Sequence, residues 1–248
     1  MSRSLSIEGI WGSRMEEPDD LAGRLARFLT SLAEIDPVFG RWQRYGMRYR
    51  SIVPLHITLP PIVPELCDWI KENPFFVTDD GRKHLEGYSA SAGTPDKEKP
   101  NASLRVRLMR ADAAMNYGNK VSLRIDLSDN DPWSLCRASR PIMLALAAAW
   151  DAAWIVADTR GYGRQPFQPH KPLSPPYRGG WMIYLDQSLA GRMAGREGIE
   201  IESLPDGAIL MSVSDDPFFY CDDGRHYAAA GHIQRALAPL GAGPLELL

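Results

Sequence analysis

The stretch from Ser139 to Asp158 constrains the fold most, because it is the longest part of the chain without a charge cluster or a glycine. In its first part, Ile142, Leu146 and Trp150 recur at a spacing that places them on one face of a helix. Its second part, residues 153–157, is a short apolar run that predicts a buried strand. A helix that runs directly into a buried strand predicts a two-layer core of helices packed on a sheet.

Alternation of apolar and polar residues predicts further strands, since successive side chains of a strand point to opposite faces of the sheet. Two of these patterns flank Pro205-Asp206-Gly207, whose residue types favour a tight turn, and they therefore predict a hairpin. The predicted strands cover residues 4–10, 104–108, 121–127, 180–185, 199–204 and 208–213.

Helices are predicted where apolar residues recur every three or four positions. The clearest begins at Pro18, with Asp19 and Asp20 in its first turn, and ends before Asp36; shorter helices are predicted over residues 64–71, 188–194 and 225–240. The segment from Thr78 to Asn101 is rich in Gly, Ser, Lys, Asp and Pro, which predicts a long surface loop. These elements predict one α+β domain over residues 1–248, with a mainly antiparallel sheet of about five to seven strands packed against helices.

The composition is that of an ordinary globular protein, with 44% hydrophobic and 24% charged residues among 248. The three cysteines, Cys67, Cys136 and Cys221, are far apart and odd in number, which argues against a disulfide framework. The first twenty residues lack the apolar core of a secretory signal, and the central apolar stretch is too interrupted to span a membrane. We therefore expect a cytoplasmic protein that acts away from the membrane.

The charge is unevenly distributed, because residues 200–224 hold seven of the 31 acidic residues and none of the 28 basic ones. Such a segment can attract a basic partner and repel a nucleic-acid backbone. Aromatic residues lie among these carboxylates, and buried aromatic anchors with a polar rim are typical of protein interfaces. The pattern predicts a partner-binding stretch, and a buried final strand is the alternative interpretation. The residues of this stretch are Asp215, Asp216, Phe218, Phe219, Tyr220, Asp222 and Asp223.

A second charged segment, Arg41 to Arg50, interleaves four arginines with Trp42, Tyr45 and Tyr49. Arginine and aromatic side chains together can bind single-stranded nucleic acid. At helical spacing the arginines share one face, but Gly46 interrupts the pattern and the whole chain is acidic. We therefore expect no direct binding of nucleic acid, and ion pairing within the protein is the favoured interpretation of this segment.

The strong catalytic signatures, such as a phosphate-binding loop or a zinc-binding HExxH motif, are absent from the sequence. One combination could still support chemistry, because Asp222, Asp223 and His226 could form a carboxylate and imidazole site for metal-assisted hydrolysis, with His232 as a further candidate. The same Asp222-Asp223-Gly224 run also suits the turn that starts the last helix. We expect a protein that is not an enzyme and that needs no cofactor or metal, with the hydrolase as the alternative.

Several segments in order along the chain resemble the immunity protein 52 family of bacterial polymorphic toxin systems. They are IWGSR at 10–14, LAEIDPVFGRW at 32–42, PIMLALAAAWDAAW at 141–154, GGWMIYL at 179–185, the PDG turn at 205–207 and the C-terminal helix. The resemblance implies a non-enzymatic inhibitor that binds and neutralises a cognate toxin. It further implies that this toxin is similar to nucleases of the restriction-endonuclease fold and is delivered by a contact-dependent, type VI-like secretion system.

Overall fold

Eleven strands form the framework of the protein in a computed structural model. The strands are β1 Ser4–Trp11, β2 Trp42–Tyr45, β3 Leu55–Ile57, β4 Pro74–Asp79, β5 Arg82–Gly93, β6 Asn101–Met109, β7 Asn119–Asp126, β8 Trp154–Thr159, β9 Met182–Leu185, β10 Glu200–Ser203 and β11 Ile209–Ser212. The structure describes residues 4–12, 16–45, 55–79, 82–95, 100–109, 119–127, 133–159, 180–193, 199–212, 232–233 and 235–240.

The α-helices with described bounds are α1 Pro18–Ile35, α2 Val63–Lys71, α3 Trp133–Arg137, α4 Ser139–Trp150 and α5 Gln187–Ala190. Residues 232–233 and 235–237, within the predicted last helix, are helical as well. Short 3-10 helices cover Pro37–Gly40 and Ala238–Leu240. The bounds of α1, α2 and α4 confirm the predicted helices. None of these described helices has the length and apolarity needed to span a bilayer.

All eleven strands belong to one antiparallel sheet with the order β10-β11-β9-β8-β1-β7-β6-β5-β2-β3, and β4 also pairs with β5. The α+β class and the antiparallel pairing are confirmed, but the predicted count of five to seven strands is wrong. The predicted strands do not include β2, β3, β4 and β5, and the longest of these, the twelve-residue strand β5, lies in the predicted loop between Thr78 and Asn101. Its residues are mostly small, with Ser89 and Ser91 alternating with Ala90 and Ala92, so the apolar alternation is weak and the strand depends on pairing with its neighbours.

One face of the sheet, the helix face, carries the main core. Leu5 and Ile7 of β1 point to it together with Leu123 and Ile125 of β7, and all four are fully buried. Helices α1, α2 and α4 cover this face and pack on one another. The strict alternation in β1 and β7 therefore places every second residue of these strands on the opposite face.

A second apolar cluster lies on that opposite face, at the β9 and β11 end of the sheet. It joins Trp154, Ile183 and Met211 to Leu189 of α5 and Leu237 near the C-terminus. Neighbouring residues in the same strands, Ile155 and Tyr184, belong to the main core, so β8 and β9 are buried on both faces. Because this second cluster occupies one end of the opposite face, the polar part of that face is formed by β1, β7, β6 and β5.

Candidate functional site: the polar face of the sheet

The polar face is the surface formed by every second side chain of β1, β7, β6 and β5. Strand register brings these side chains together, because Glu8 pairs with Ser122, Ser122 with Arg105, and Arg105 with Ser91. The next row contains Lys120 opposite Arg107. Polar residues at these positions allow this face to contact solvent, while the alternate residues of the same strands form the core.

A groove with a volume of about 490 Å³ runs along this face. Three serines contribute to it, Ser91, Ser103 and Ser122, and their short side chains leave space above the strands. Long cationic side chains line the same space: Arg105, Arg107, Lys120 and Arg124. Among the lining residues, all within the described part of the chain, Glu8 is the only carboxylate.

Two of the four cations are held by carboxylates of the polar face. The Nζ of Lys120 donates to Glu8 at 2.7 Å, and the Oγ of Ser122 donates to the same carboxylate at 3.3 Å. Arg124 donates to Asp126 of its own strand through Nε at 3.2 Å and a terminal nitrogen at 3.0 Å. These pairs fix the positions of both cations and neutralise part of the positive charge.

Arg105 differs from these two cations. Its side chain is exposed, and it forms no ion pair or hydrogen bond with any residue that the structure describes. Arg107 lies two residues further along β6, half-buried on the same face. Among the described residues, the guanidinium group of Arg105 therefore has no partner at the surface of the groove. Guanidinium groups bind carboxylates and phosphates through paired hydrogen bonds.

A smaller cavity of about 260 Å³ continues the groove towards β8. It shares Glu8 and Lys120 with the groove and adds the apolar residues Ile10, Trp154 and Val156 together with Ser6 and Asp158. The polar face thus changes from basic at β6 to partly apolar at β8. An apolar strip beside charged anchors is a common composition for a surface that binds another protein.

The partner-binding stretch predicted from the sequence lies outside the described residues. This applies to Asp215, Asp216, Phe218, Phe219, Tyr220, Asp222 and Asp223, and also to His226 of the alternative metal site. Within the described residues, no group of three metal-binding side chains comes together. The predictions for these eight residues therefore stay predictions.

The described part of the acidic segment is partly paired within the protein. Arg140 of α4 donates from Nε to Glu202 of β10 at 2.9 Å and makes a second, shorter contact with the same carboxylate. Pairing with Arg140 lowers the pKa of Glu202 below its ordinary value, and pairing with Glu202 raises the pKa of Arg140. The described partner of Glu202 is thus Arg140, and the predicted pairing of residues 41–50 within the protein stays a prediction, because residues 46–50 and 215–223 lie outside the described part of the chain.

The arginine and aromatic segment does not form the helix that its spacing suggested, because residues 42–45 form strand β2. Trp42 is fully buried, its indole N–H donates to the carbonyl of Phe39 at 2.8 Å, and the two rings stack at 6.2 Å. This aromatic ring is therefore unavailable to stack on a base. Residues 46–50 lie outside the described part of the chain.

Sequence reasoning missed the groove, although it predicted three of its four strands, β1, β6 and β7, and missed only β5. The alternation of Arg105 and Arg107 with apolar residues predicts one wet face on β6, and a basic wet face was a usable signal. The ion pair between Glu8 and Lys120 could not be predicted from the sequence, because these residues are 112 positions apart and meet only through strand register.

Comparison with protein-family descriptions and with curated proteins finds no match to this chain. Among solved structures, the chain is similar to the Pseudomonas aeruginosa T6SS protein PA0821, with a TM-score of 0.55 and 11% sequence identity. The similarity covers 98% of this chain and 74% of that protein. At this identity the likeness concerns the fold alone, and it extends over almost the whole of this chain.

Proposed function

We propose that this chain is an immunity protein of a type VI secretion system (T6SS), which binds a cognate toxin and neutralises it without catalysis. The observation that carries the proposal is the shared fold with a T6SS protein over 98% of the chain. The segments that resemble the immunity protein 52 family support the same class of function.

The architecture suits inhibition by binding. Helices pack on one face of the sheet, and the opposite face carries a charged groove continued by a partly apolar cavity. A preorganised surface loses little conformational entropy on association, so more of the contact energy contributes to affinity. The proposed inhibitor acts by covering a surface of the toxin and needs no catalytic group of its own.

The toxin we propose is a nuclease, as the family resemblance implies. A nuclease presents basic groups to the phosphates of its substrate, and the stretch from Asp215 to Asp223 carries four carboxylates with three aromatic residues between them. Complementary charge accelerates association and sets specificity. We propose that this stretch contacts the basic surface of the toxin.

Co-expression tests the proposal directly. The neighbouring reading frame is expressed with and without this chain, and growth, co-purification and plasmid degradation by the separated proteins are measured. The proposal predicts that growth is restored, that a stable complex is recovered and that plasmid cleavage stops when the chain is added. A toxic neighbour that this chain neither binds nor neutralises would refute it.

Charge reversal tests the contact surface separately. The double variant Asp222→Lys and Asp223→Lys is compared with the control Glu65→Lys and Glu72→Lys, which changes the charge equally on exposed residues of the α2 region. We expect slower association and weaker binding of the toxin only for the first variant. Equal affinity of the two variants would exclude residues 222–223 from the interface.

A further inference from the structure

The groove on the polar face has the geometry of an anion-binding surface. Arg105 and Arg107 occupy positions i and i+2 of β6, so their side chains leave the same face of the sheet roughly 7 Å apart. Across the strands, Arg105 lies opposite Ser91 on one side and Ser122 on the other. Arg105 therefore has a small hydroxyl group on each side, whereas Arg107 lies between Ser89 and Lys120.

We propose that this groove receives a carboxylate-bearing segment of the toxin, with Arg105 as its principal anchor. The inference rests on the proposed function and names the chemistry of the partner at a site formed by residues other than 215–223. The exposed Arg105 has no ionic partner among the described residues, whereas Lys120 and Arg124 are held by Glu8 and Asp126. An incoming carboxylate supplies the missing partner and accepts paired hydrogen bonds from the guanidinium group.

The serines explain how the segment can approach. Ser91, Ser103 and Ser122 line the groove with side chains far shorter than the arginines beside them. A partner segment can therefore lie close to the strands, and the serine hydroxyls can donate to its oxygens or accept from its N–H groups. The volume of about 490 Å³ accommodates several side chains.

Charge complementarity favours an acidic protein segment over nucleic acid. Glu8 lines the groove and Asp126 lies on the same face, so a continuous row of phosphates would meet carboxylates that are already placed. The described lining residues also contain no aromatic ring on which a base could stack. Discrete carboxylates spaced to meet Arg105 and Arg107 avoid both difficulties.

The proposal agrees with a nuclease as the target. Nucleases that use metal ions hold them with carboxylates, and their phosphate-binding surface is basic. A basic groove and an acidic stretch on one inhibitor complement these two kinds of surface. The inhibitor can then oppose carboxylates and cations of the toxin through different parts of its chain.

The test uses the full chain and the toxin from the neighbouring reading frame. Affinity is measured for the wild type, Arg105→Glu, Arg105→Lys and the control Arg137→Glu, which reverses an exposed charge on α3. We expect Arg105→Glu to weaken binding at least about tenfold and Arg105→Lys to weaken it less, because lysine keeps the charge but loses the paired hydrogen bonds. Arg137→Glu should bind as the wild type does.

The outcomes are distinguishable. If the wild type binds the toxin and Arg105→Glu binds equally well, the groove proposal fails while the immunity proposal stands. If the wild type does not bind the toxin, both fail. A fluorescent single-stranded oligonucleotide is tested as well. If the wild type binds it and Arg105→Glu does not, the groove binds nucleic acid and the proposal of an acidic protein segment is overturned. Circular dichroism and thermal unfolding confirm that each variant is folded.

Discussion

Leu146 of α4 packs directly over Gly9 of β1, so closely that a Cβ atom built on Gly9 would overlap the Cδ2 of Leu146. Both residues lie where the helix face of the sheet meets its covering helix, and Leu146 is fully buried. We expect Gly9→Ala to destabilise the fold by about 1–3 kcal/mol, because extra volume in a filled core forces side chains from their preferred rotamers. Chemical denaturation measures the change in the free energy of unfolding.

Gly40→Ala is the matched control for Gly9→Ala, since nothing lies within 4 Å of a Cβ atom added at Gly40. A double-mutant cycle with Leu146→Ala sharpens the test. If the contact causes the loss, Gly9→Ala should cost less once Leu146 has been shortened. Equal costs for Gly9→Ala and Gly40→Ala would show that the close packing has no energetic effect.

The elements that the sequence predicted well are those with a strong local period. Helices α1 and α4 have a continuous apolar stripe, and β6 and β7 alternate strictly, so each pattern matches one backbone geometry. Strand β5 was missed because its residues are mostly small, with Ser89 and Ser91 on the polar face and Ala90 and Ala92 buried in the core. Its strand conformation is imposed by pairing with β6 and β4, which no local pattern records.

The candidate site was less predictable than the fold, because it depends on strand order. The sequence shows that Arg105 and Arg107 share a face, but the arrangement of β1 beside β7 and β7 beside β6 brings Glu8 and Lys120 to them. The buried position of Trp42 was likewise invisible, since its arginine neighbours suggested a surface residue. Long-range pairing therefore determines which charged residues meet.

The ion pair between Arg140 and Glu202 predicts a pH effect on stability. Pairing lowers the pKa of Glu202 from its ordinary 4.5, so the pair stabilises the fold above about pH 4.5 and this contribution is lost as the pH falls through the folded-state pKa. The side chains are 47% and 44% exposed, which limits the effect to less than about 1 kcal/mol. Denaturation of Glu202→Gln and wild type at several pH values measures it.

The expected result for this pair is a difference between wild type and Glu202→Gln at neutral pH that vanishes in acid. Glu65→Gln is a suitable control, because Glu65 is exposed and forms no ion pair with a described residue. A difference between Glu202→Gln and wild type that persisted unchanged in strong acid would assign the effect to packing and not to the ion pair.

Tyr184 predicts a second pH effect, at the alkaline end. Burial, with a contribution from nearby carboxylates led by Asp206, raises the pKa of Tyr184 to about 12. Because the folded chain keeps the phenol protonated, its stabilising effect is complete below the ordinary value of 10 and is lost as the pH rises towards 12. The tyrosinate absorbance of wild type minus Tyr184→Phe should titrate near 12, and a difference centred near 10 would contradict the prediction.

The pair of Glu8 and Lys120 links stability to the proposed binding groove. Its side chains are 30% and 35% exposed, so Glu8→Gln should cost less than about 1 kcal/mol in the free energy of unfolding. The same change removes the carboxylate that lines the groove and leaves Lys120 without its partner. If the groove binds an acidic segment, Glu8→Gln should bind the toxin more tightly, and the gain should shrink as salt screens the added charge. Calorimetric titration at two salt concentrations measures the affinity. Weaker toxin binding by Glu8→Gln, without a loss of stability that explains it, would contradict an acidic partner.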